Sequence, residues 1–295
     1  MGRYKMSWYG SMPYVAILRP KQWTKNLLVF AAMIFSIKIV TGDMFLRCIA
    51  GFILFCLVSG CVYVLNDYID RKSDSKHPEK CDRPIASGRL RPERALAFGC
   101  VLLLCSLMAA YSLDHWFSLL LLGYFIINVA YSLKLKHVVI IDIMVIAVGF
   151  VLRAIGGGLV IEVTFTPWFL ICTMLLALFL AISKRRHELY LLSEHKGEYR
   201  RVLEHYSPEL LNQLNSIVTT AAIMSYSLFT FTSGRTIHLM WTIPLVMYGI
   251  FRYLYLIHMK GKGGKPEEIL LEDRHVLITV MLFAIMVVTI LYYFE

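Results

Sequence analysis

CIAGFILFCLVSGCVYVLNDYIDRKSD, residues Cys48 to Asp74, decides the fold. Its first part, Cys48 to Leu65, is an unbroken apolar run close to the ~20 residues that carry a helix across about 30 Å of hydrocarbon. The run ends abruptly on Asn66, Asp67, Asp70 and Asp74, and a train of Lys and Arg follows. Working outward, similar apolar runs occur near Leu27 to Val40, Ala95 to Leu113, Trp116 to Leu133 and Val138 to Ile161, then Pro167 to Ser183, Leu214 to Thr232, Ile237 to Ile257 and Val276 to Phe294. A spanning backbone must satisfy its own hydrogen bonds in lipid, and runs of this length read as helices, not as alternating barrel strands. The expected fold class is therefore all-α, a polytopic membrane helical bundle of about nine transmembrane helices, with residues 1–295 as one integral membrane domain. The first span is short and begins nearer Pro20, with KQWTKN in the interface where Trp and Lys are at home.

A hydrophobic fraction of 58% agrees with this, since soluble domains stay near 45–50%. The net charge of +10 does not point to nucleic acid, because its placement explains it. With nine spans and the amino terminus inside, every Lys and Arg falls in cytoplasmic segments except Lys38, Arg47 and Arg235 outside and Arg153 and Arg252 within spans. That bias puts the carboxyl terminus outside a cytoplasmic membrane. The seven Cys lack CxxC spacing and read as small buried hydrophobes, with no disulfide or zinc framework. Met1 to Pro20 has no stretch resembling the apolar core of a cleavable signal and reads as a retained cytoplasmic segment.

Two cytoplasmic segments stand out, 67–94 and 184–212, and are expected to cap the active site. HELYLLSEHKGEYRRVLEHY, from His187 to Tyr206, mixes charge with Leu, Tyr and Val at near-helical spacing. It reads either as an amphipathic helix over the site or as a solvated surface helix. A third inner loop, His258 to Glu268, is basic and suits the membrane surface. Thr166 with Pro167, and Ser207 with Pro208, mark helix starts.

If the second helix continues past Leu65, a rotation of about 100° per residue brings Asp67, Asp70 and Asp74 onto one face. Like charges at this spacing repel, so something cationic belongs there. One or two carboxylates plus substrate phosphates are how proteins hold Mg²⁺, and Asn66, Asp67, Asp70 and Asp74 are the candidate ligands. Lys72, Lys76, Lys80, Arg83 and Arg89 then serve as donors to phosphate oxygens. The combination suggests a bound diphosphate. A loop whose charges only set topology would explain the cations but not the aspartate spacing.

NDYIDRKSD resembles the NDxxDxxxD motif of the UbiA superfamily of intramembrane prenyltransferases. The resemblance implies helices around a central cavity and a diphosphate bound through Mg²⁺ at this motif. LRPKQWTKNLLVF, HPEKCDRPIASGRL, YSLKLKHVVIIDIMVIAVGFVLRAIGGG and LALFLAISKRRHEL are similar to the decaprenyl-phosphate phosphoribosyltransferase branch. In UbiA prenyltransferases a second acidic cluster follows the sixth span. Here SKRRHE leaves Glu188 beside Lys184, Arg185 and Arg186, which suits the phosphoribosyl branch. The implied substrates are phosphoribosyl diphosphate and a polyprenyl phosphate lipid, and homo-oligomer formation is left open. Glu188 contacts either the metal or the ribose hydroxyls.

Further candidates lie at the inner ends of spans. Lys25 and Asn26 could face the donor, although Lys25 equally suits interfacial anchoring. Tyr131 and Lys134 end the fourth span and could reach phosphate from the rim. Asp142, one turn inside the fifth, should face the bundle and meet a cation or metal. Arg153, about 16 Å deeper by helix rise, must be paired, either structurally or with an anionic acceptor. Asp67, Asp70, Lys134 and Asp142 are the expected catalytic residues. Lys25, Asn26, Lys80, Arg83, Tyr131, Arg153, Lys184, Arg185 and Glu188 are expected to bind substrate. The competing readings are a UbiA-type prenyltransferase acting on an aromatic acceptor and a non-enzymatic transporter.

Overall fold

A computed structural model describes residues 12–34, 41–76, 80–163, 166–193, 201–234, 236–260, 269 and 272–294. The segment before Met12, His77 and the basic stretch 261–268 lie outside the described residues. Among the described residues the regular structure is entirely helical, and eight helices are long and apolar enough to cross a membrane. We name the long helices α1 Gly42–Ile69, α2 Pro92–Leu113, α3 His115–Leu133, α4 Ile141–Val160, α5 Pro167–Ser193, α6 Pro208–Thr232, α7 Ile243–Lys260 and α8 Arg274–Phe294. The chain is an integral membrane protein by these helices. The expected first span is described as a 3₁₀ helix, Pro20–Phe30, followed by an α-helical turn, Ala31–Ile34; residues 35–40 lie outside the described residues.

The contacts divide the chain into two compact units, Met1–Leu135 with Leu152–Thr164, and Lys136–Val151 with Phe165–Glu295. In the first, α1 packs against α2, α3 and the 3₁₀ helix. Thr41 caps α1, its hydroxyl accepting from the Met44 N–H at 3.3 Å. Two glycines of α4 permit a close approach within this unit. A Cβ on Gly157 would stand 2.1 Å from the Val29 carbonyl oxygen, and one on Gly156 would stand 2.6 Å from the Phe55 ring. Only hydrogen at these positions lets the 3₁₀ helix and α1 lie so near, so packing accounts for the glycine run.

In the second unit, α5 packs along α6, and α7 packs along α8. Both expected helix starts are present: Phe169 N–H donates to Thr166 Oγ1 at 3.4 Å, and Leu210 N–H to Ser207 Oγ at 3.1 Å. The segment after Ser183 does not start a separate helix, because α5 continues without a break to Ser193. The later part of that segment is no solvated surface helix either. Val202, Leu203 and Tyr206 are buried against Ile143, Ala147, Ala181 and Leu211. Apolar burial offsets the loss of chain entropy there.

Candidate active site

α1 ends at Asp70, where φ −87° and ψ 4° leave the helical range, and a single turn, Arg71–Asp74, follows. The three aspartates are thus not on one continuous helix. Ser73 supports the break, its hydroxyl donating to the Asp70 carbonyl at 2.8 Å. The turn still brings Asp74 back to Asp67. Both are buried, at 3% and 2% exposure, and one guanidinium joins them: Arg83 Nη1 donates to Asp67 Oδ1 at 3.1 Å and to Asp74 Oδ2 at 2.5 Å. Arg19 donates to Asp67 Oδ1 as well, and Lys80 Nζ lies 4.0 Å from Asp74 Oδ1. The cation that the acid spacing demands is therefore supplied by the chain itself. Asp70 stands half-buried at the junction.

Local folding explains why Arg83 reaches both acids. The segment after Lys80 is a series of tight turns, with Arg83 N–H bonded to the Lys80 carbonyl at 3.0 Å and Leu90 N–H to the Pro84 carbonyl at 2.9 Å. Gly88 supplies the left-handed φ of 75° that the chain needs to double back. Ile85 and Leu90 anchor these turns in a core with Ile17, Leu18, Val64 and Ala95. Arg19 itself has a φ of 52° immediately before Pro20, and its guanidinium lies 4.7 Å from the Tyr63 ring centroid.

Asp67 Oδ2 is buried and receives no hydrogen bond among the described residues. That open oxygen, with Asp74 joined to it through Arg83, suits a hard divalent cation. Among the described residues no three His, Cys, Asp or Glu side chains converge as a ready-made metal site, and Mg²⁺ needs none, since substrate oxygens and water complete its shell.

Deeper in the same unit, Arg153 is 6% exposed. Its Nε donates to Asn26 Oδ1 at 2.7 Å and its Nη2 to the Tyr124 hydroxyl at 2.8 Å. Asn26 in turn donates to Ser59 Oγ at 3.2 Å. Asn26 thus faces Arg153 inside the protein, the structural pairing left open by the sequence. Lys25 and Tyr131 are half-buried, and Lys134 is exposed at the end of α3.

The second unit holds its own charged network. Asp142 is fully buried; Arg185 Nε donates to its Oδ2 at 2.6 Å and the Tyr206 hydroxyl to its Oδ1 at 2.7 Å. Arg185 Nη1 then donates to Glu188 Oε2 at 2.5 Å. The Tyr206 oxygen also accepts the Ile140 N–H at 2.7 Å. Burial and the bond to Asp142 hold the Tyr206 phenol above its ordinary pKa, so it remains a donor. Asp142 meets a cation, as its position in an apolar span requires, and both its oxygens are engaged by protein donors. Arg19 and Tyr206 are the partners that reading the sequence missed. Each reaches its partner across long helices, so nothing in its own stretch of sequence marks the contact.

The model of the UbiA prenyltransferase family matches residues 27–271. The chain belongs to that family. Among UbiA relatives, it is 31% identical to decaprenyl-phosphate phosphoribosyltransferase of Mycolicibacterium smegmatis, over 88% of this chain and 86% of that one. It is 31% identical to the protein of the same name from Corynebacterium glutamicum, over 88% and 81%. Its fold is similar to that of a UbiA homolog from Archaeoglobus fulgidus bound to DMAPP and Mg²⁺, with a TM-score of 0.73 and 20% identity, covering 95% of this chain and 99% of that one. UbiA membership makes the chain a transferase of the prenyltransferase class.

Proposed function

We propose that this UbiA-family protein transfers the 5-phosphoribosyl group of phosphoribosyl diphosphate to a polyprenyl phosphate and releases diphosphate. The observation that carries the reading is the buried Asp67–Arg83–Asp74 bridge, with Asp67 Oδ2 open and Lys80 beside Asp74. It is a balanced set of acids and bases of the kind a metal diphosphate requires. The names of the relatives at 31% identity support the phosphoribosyl donor, as does SKRRHE in place of a second acidic cluster.

Asn66, Asp67, Asp70 and Asp74 are the residues that would hold Mg²⁺. Bound there, the ion would neutralise charge on the departing diphosphate oxygens. Lys80 and Arg83 donate to the same oxygens, and Arg83 turns from the aspartates to the donor as the substrate binds. Lys25, Tyr131, Lys134 and Lys184 are assigned to the donor's phosphates, and Glu188 to the metal or the ribose hydroxyls. Arg153 is assigned to the inner wall, holding Asn26 and Tyr124, and Asp142 to holding Arg185 and Glu188 in place.

The acceptor's phosphate oxygen attacks the anomeric carbon. The new carbon–oxygen bond forms on the face opposite the leaving group, and the bond to diphosphate breaks with its electron pair. That oxygen is already anionic near neutral pH, so no general base is needed, and positioning with charge neutralisation supplies the rate. The positive-inside bias supports a site at the cytoplasmic face of a cytoplasmic membrane, and segments 67–94 and 184–212 are assigned as its caps.

Purified protein incubated with labelled phosphoribosyl diphosphate and a polyprenyl phosphate should yield labelled lipid, and EDTA should stop it. Transfer of a prenyl group to an aromatic acceptor, with no labelled lipid from the ribosyl donor, would replace this reading with that of a prenyltransferase in the narrow sense.

A further inference from the structure

α6 carries a polar stripe that the transfer reaction does not use. Asn212, Asn215, Ser216, Thr219 and Thr220 recur at helical spacing in a membrane span, and with Leu254 and His258 they line a cavity of about 260 Å³. A second cavity of about 370 Å³ shares His258 and is lined by Arg186, His187, Tyr190 and Lys260 among others, with no carboxylate in its wall among the described residues. Both cavities lie within the second unit.

The joint between them is built. Arg186 Nε donates to Asn212 Oδ1 at 2.7 Å, and the same side chain lines the cationic cavity, where its Nη groups bond no other described residue. Arg186 stands about 100° round α5 from Arg185, the residue committed to Asp142. Ser216 returns its hydroxyl to the Asn212 carbonyl at 3.0 Å. Asn215 and Thr219, at 3% and 7% exposure, are different. Neither amide atom of Asn215 and not the hydroxyl of Thr219 has a hydrogen-bond partner among the described residues. Unmatched polar atoms in a lipid-embedded helix are unfavourable, and buried polar groups in a cavity wall call for a ligand.

We propose that the ends of α5, α6 and α7 bind a diacyl phospholipid, with Arg186, His258 and Lys260 holding its phosphate and Asn215 and Thr219 holding its acyl ester carbonyls. The order of chemistry along the site matches the order in the lipid. Lys260 ends α7, whereas Leu254 of the inner cavity lies roughly 9 Å back along the same helix. The cations therefore sit at the mouth and the neutral donors on the tail side. A phospholipid likewise places its ester groups on the tail side of its phosphate. Inorganic phosphate would satisfy only the mouth. A polyprenyl phosphate has a hydrocarbon chain where Asn215 and Thr219 present donors.

The test uses the full chain, purified in detergent, with dioctanoyl phosphatidylglycerol, farnesyl phosphate and inorganic phosphate as separate probes. Phosphatidylglycerol should raise the thermal unfolding midpoint by several degrees and be retained in native mass spectrometry, with much smaller effects from the other two. Lys260→Gln and Arg186→Gln should each weaken its binding about tenfold. Asn215→Leu should raise the midpoint of the lipid-free protein while shrinking the lipid-induced rise, a readout that survives if Arg186→Gln does not fold. An equal rise with inorganic phosphate would make this a soluble-anion site, and an equal rise with farnesyl phosphate would make it a site for phosphomonoester lipids; either overturns the proposal. So would an undiminished rise in Asn215→Leu, or no rise at all.

Discussion

Tyr206 gives its hydroxyl hydrogen to Asp142 at 2.7 Å, and the same oxygen takes the N–H of Ile140 at 2.7 Å. Ile140 is a β-branched residue held at φ 69°, a conformation that persists only where surroundings enforce it. One phenol thus fixes both the strained entry to α4 and the carboxylate that orients Arg185. Tyr206→Phe should lower stability by about 1–3 kcal/mol, since buried Asp142 loses a donor and the Ile140 N–H loses its acceptor, and should reduce transfer efficiency about tenfold through displacement of Arg185 and Glu188. Ile140→Gly, which removes the conformational penalty, should restore part of the stability in the double variant. Unfolding midpoints and kcat/KM measured on the same preparations check both.

Arg83 is the only residue seen to bond both Asp67 and Asp74 among the described residues. Asp67→Asn should abolish turnover while leaving folded, detergent-stable protein, because Arg83 and Asp74 remain paired. Arg83→Ala leaves two buried carboxylates close together and should be the more destabilising change, by up to about 3 kcal/mol. Normal turnover in Asp67→Asn would assign the acid cluster to topology instead.

Gly157 and Gly123 form a matched pair of tests. A methyl group at Gly157 meets a backbone oxygen that cannot move aside, whereas one at Gly123 meets nothing within 4 Å. Gly157→Ala should destabilise by about 2–3 kcal/mol, and Gly123→Ala should be neutral or slightly stabilising. Comparing the two unfolding midpoints separates close packing from a general sensitivity to helix glycine substitution.

Asp273 starts α8, accepting from the Val276 N–H at 3.0 Å while Arg252 Nη2 donates to it at 2.9 Å. The bond from Arg252, more than the cap itself, holds its carboxyl below the usual carboxylate pKa. The folded value is the lower one, so the stabilisation is fully present above about pH 4 and is lost as pH falls through that depressed value. Asp273→Asn should keep the cap and flatten the acid limb of the stability profile. Asp273→Ala should also lose the cap, about 1 kcal/mol at neutral pH. Urea unfolding between pH 3 and pH 7 measures both.

The membrane helices were legible because their signal is long and local; α1, α6 and α8 need only an apolar run and a capping residue. The meeting of Asp67 with Asp74 was legible from helical spacing, although the chain achieves it through a break at Asp70 that no periodicity marks. Partners far apart in sequence were not legible. Arg19 reaches Asp67 across 48 residues and Tyr206 reaches Asp142 across 64, and nothing local in LRPKQW or LEHYSPE distinguishes them from interface anchors. The continuation of α5 past Ser183 was hidden for another reason. Its charged residues look like a loop when read linearly, yet around a helix they separate, so that Arg185 turns to Asp142 and Arg186 to Asn212.

The double grip of Arg83 implies that the acid pocket has a resting state of its own. With its carboxylates already answered by arginines, the fold does not depend on a captured ion to hold these segments together. Chelation should therefore silence the protein reversibly without unravelling it, and magnesium added back should find the chain still intact.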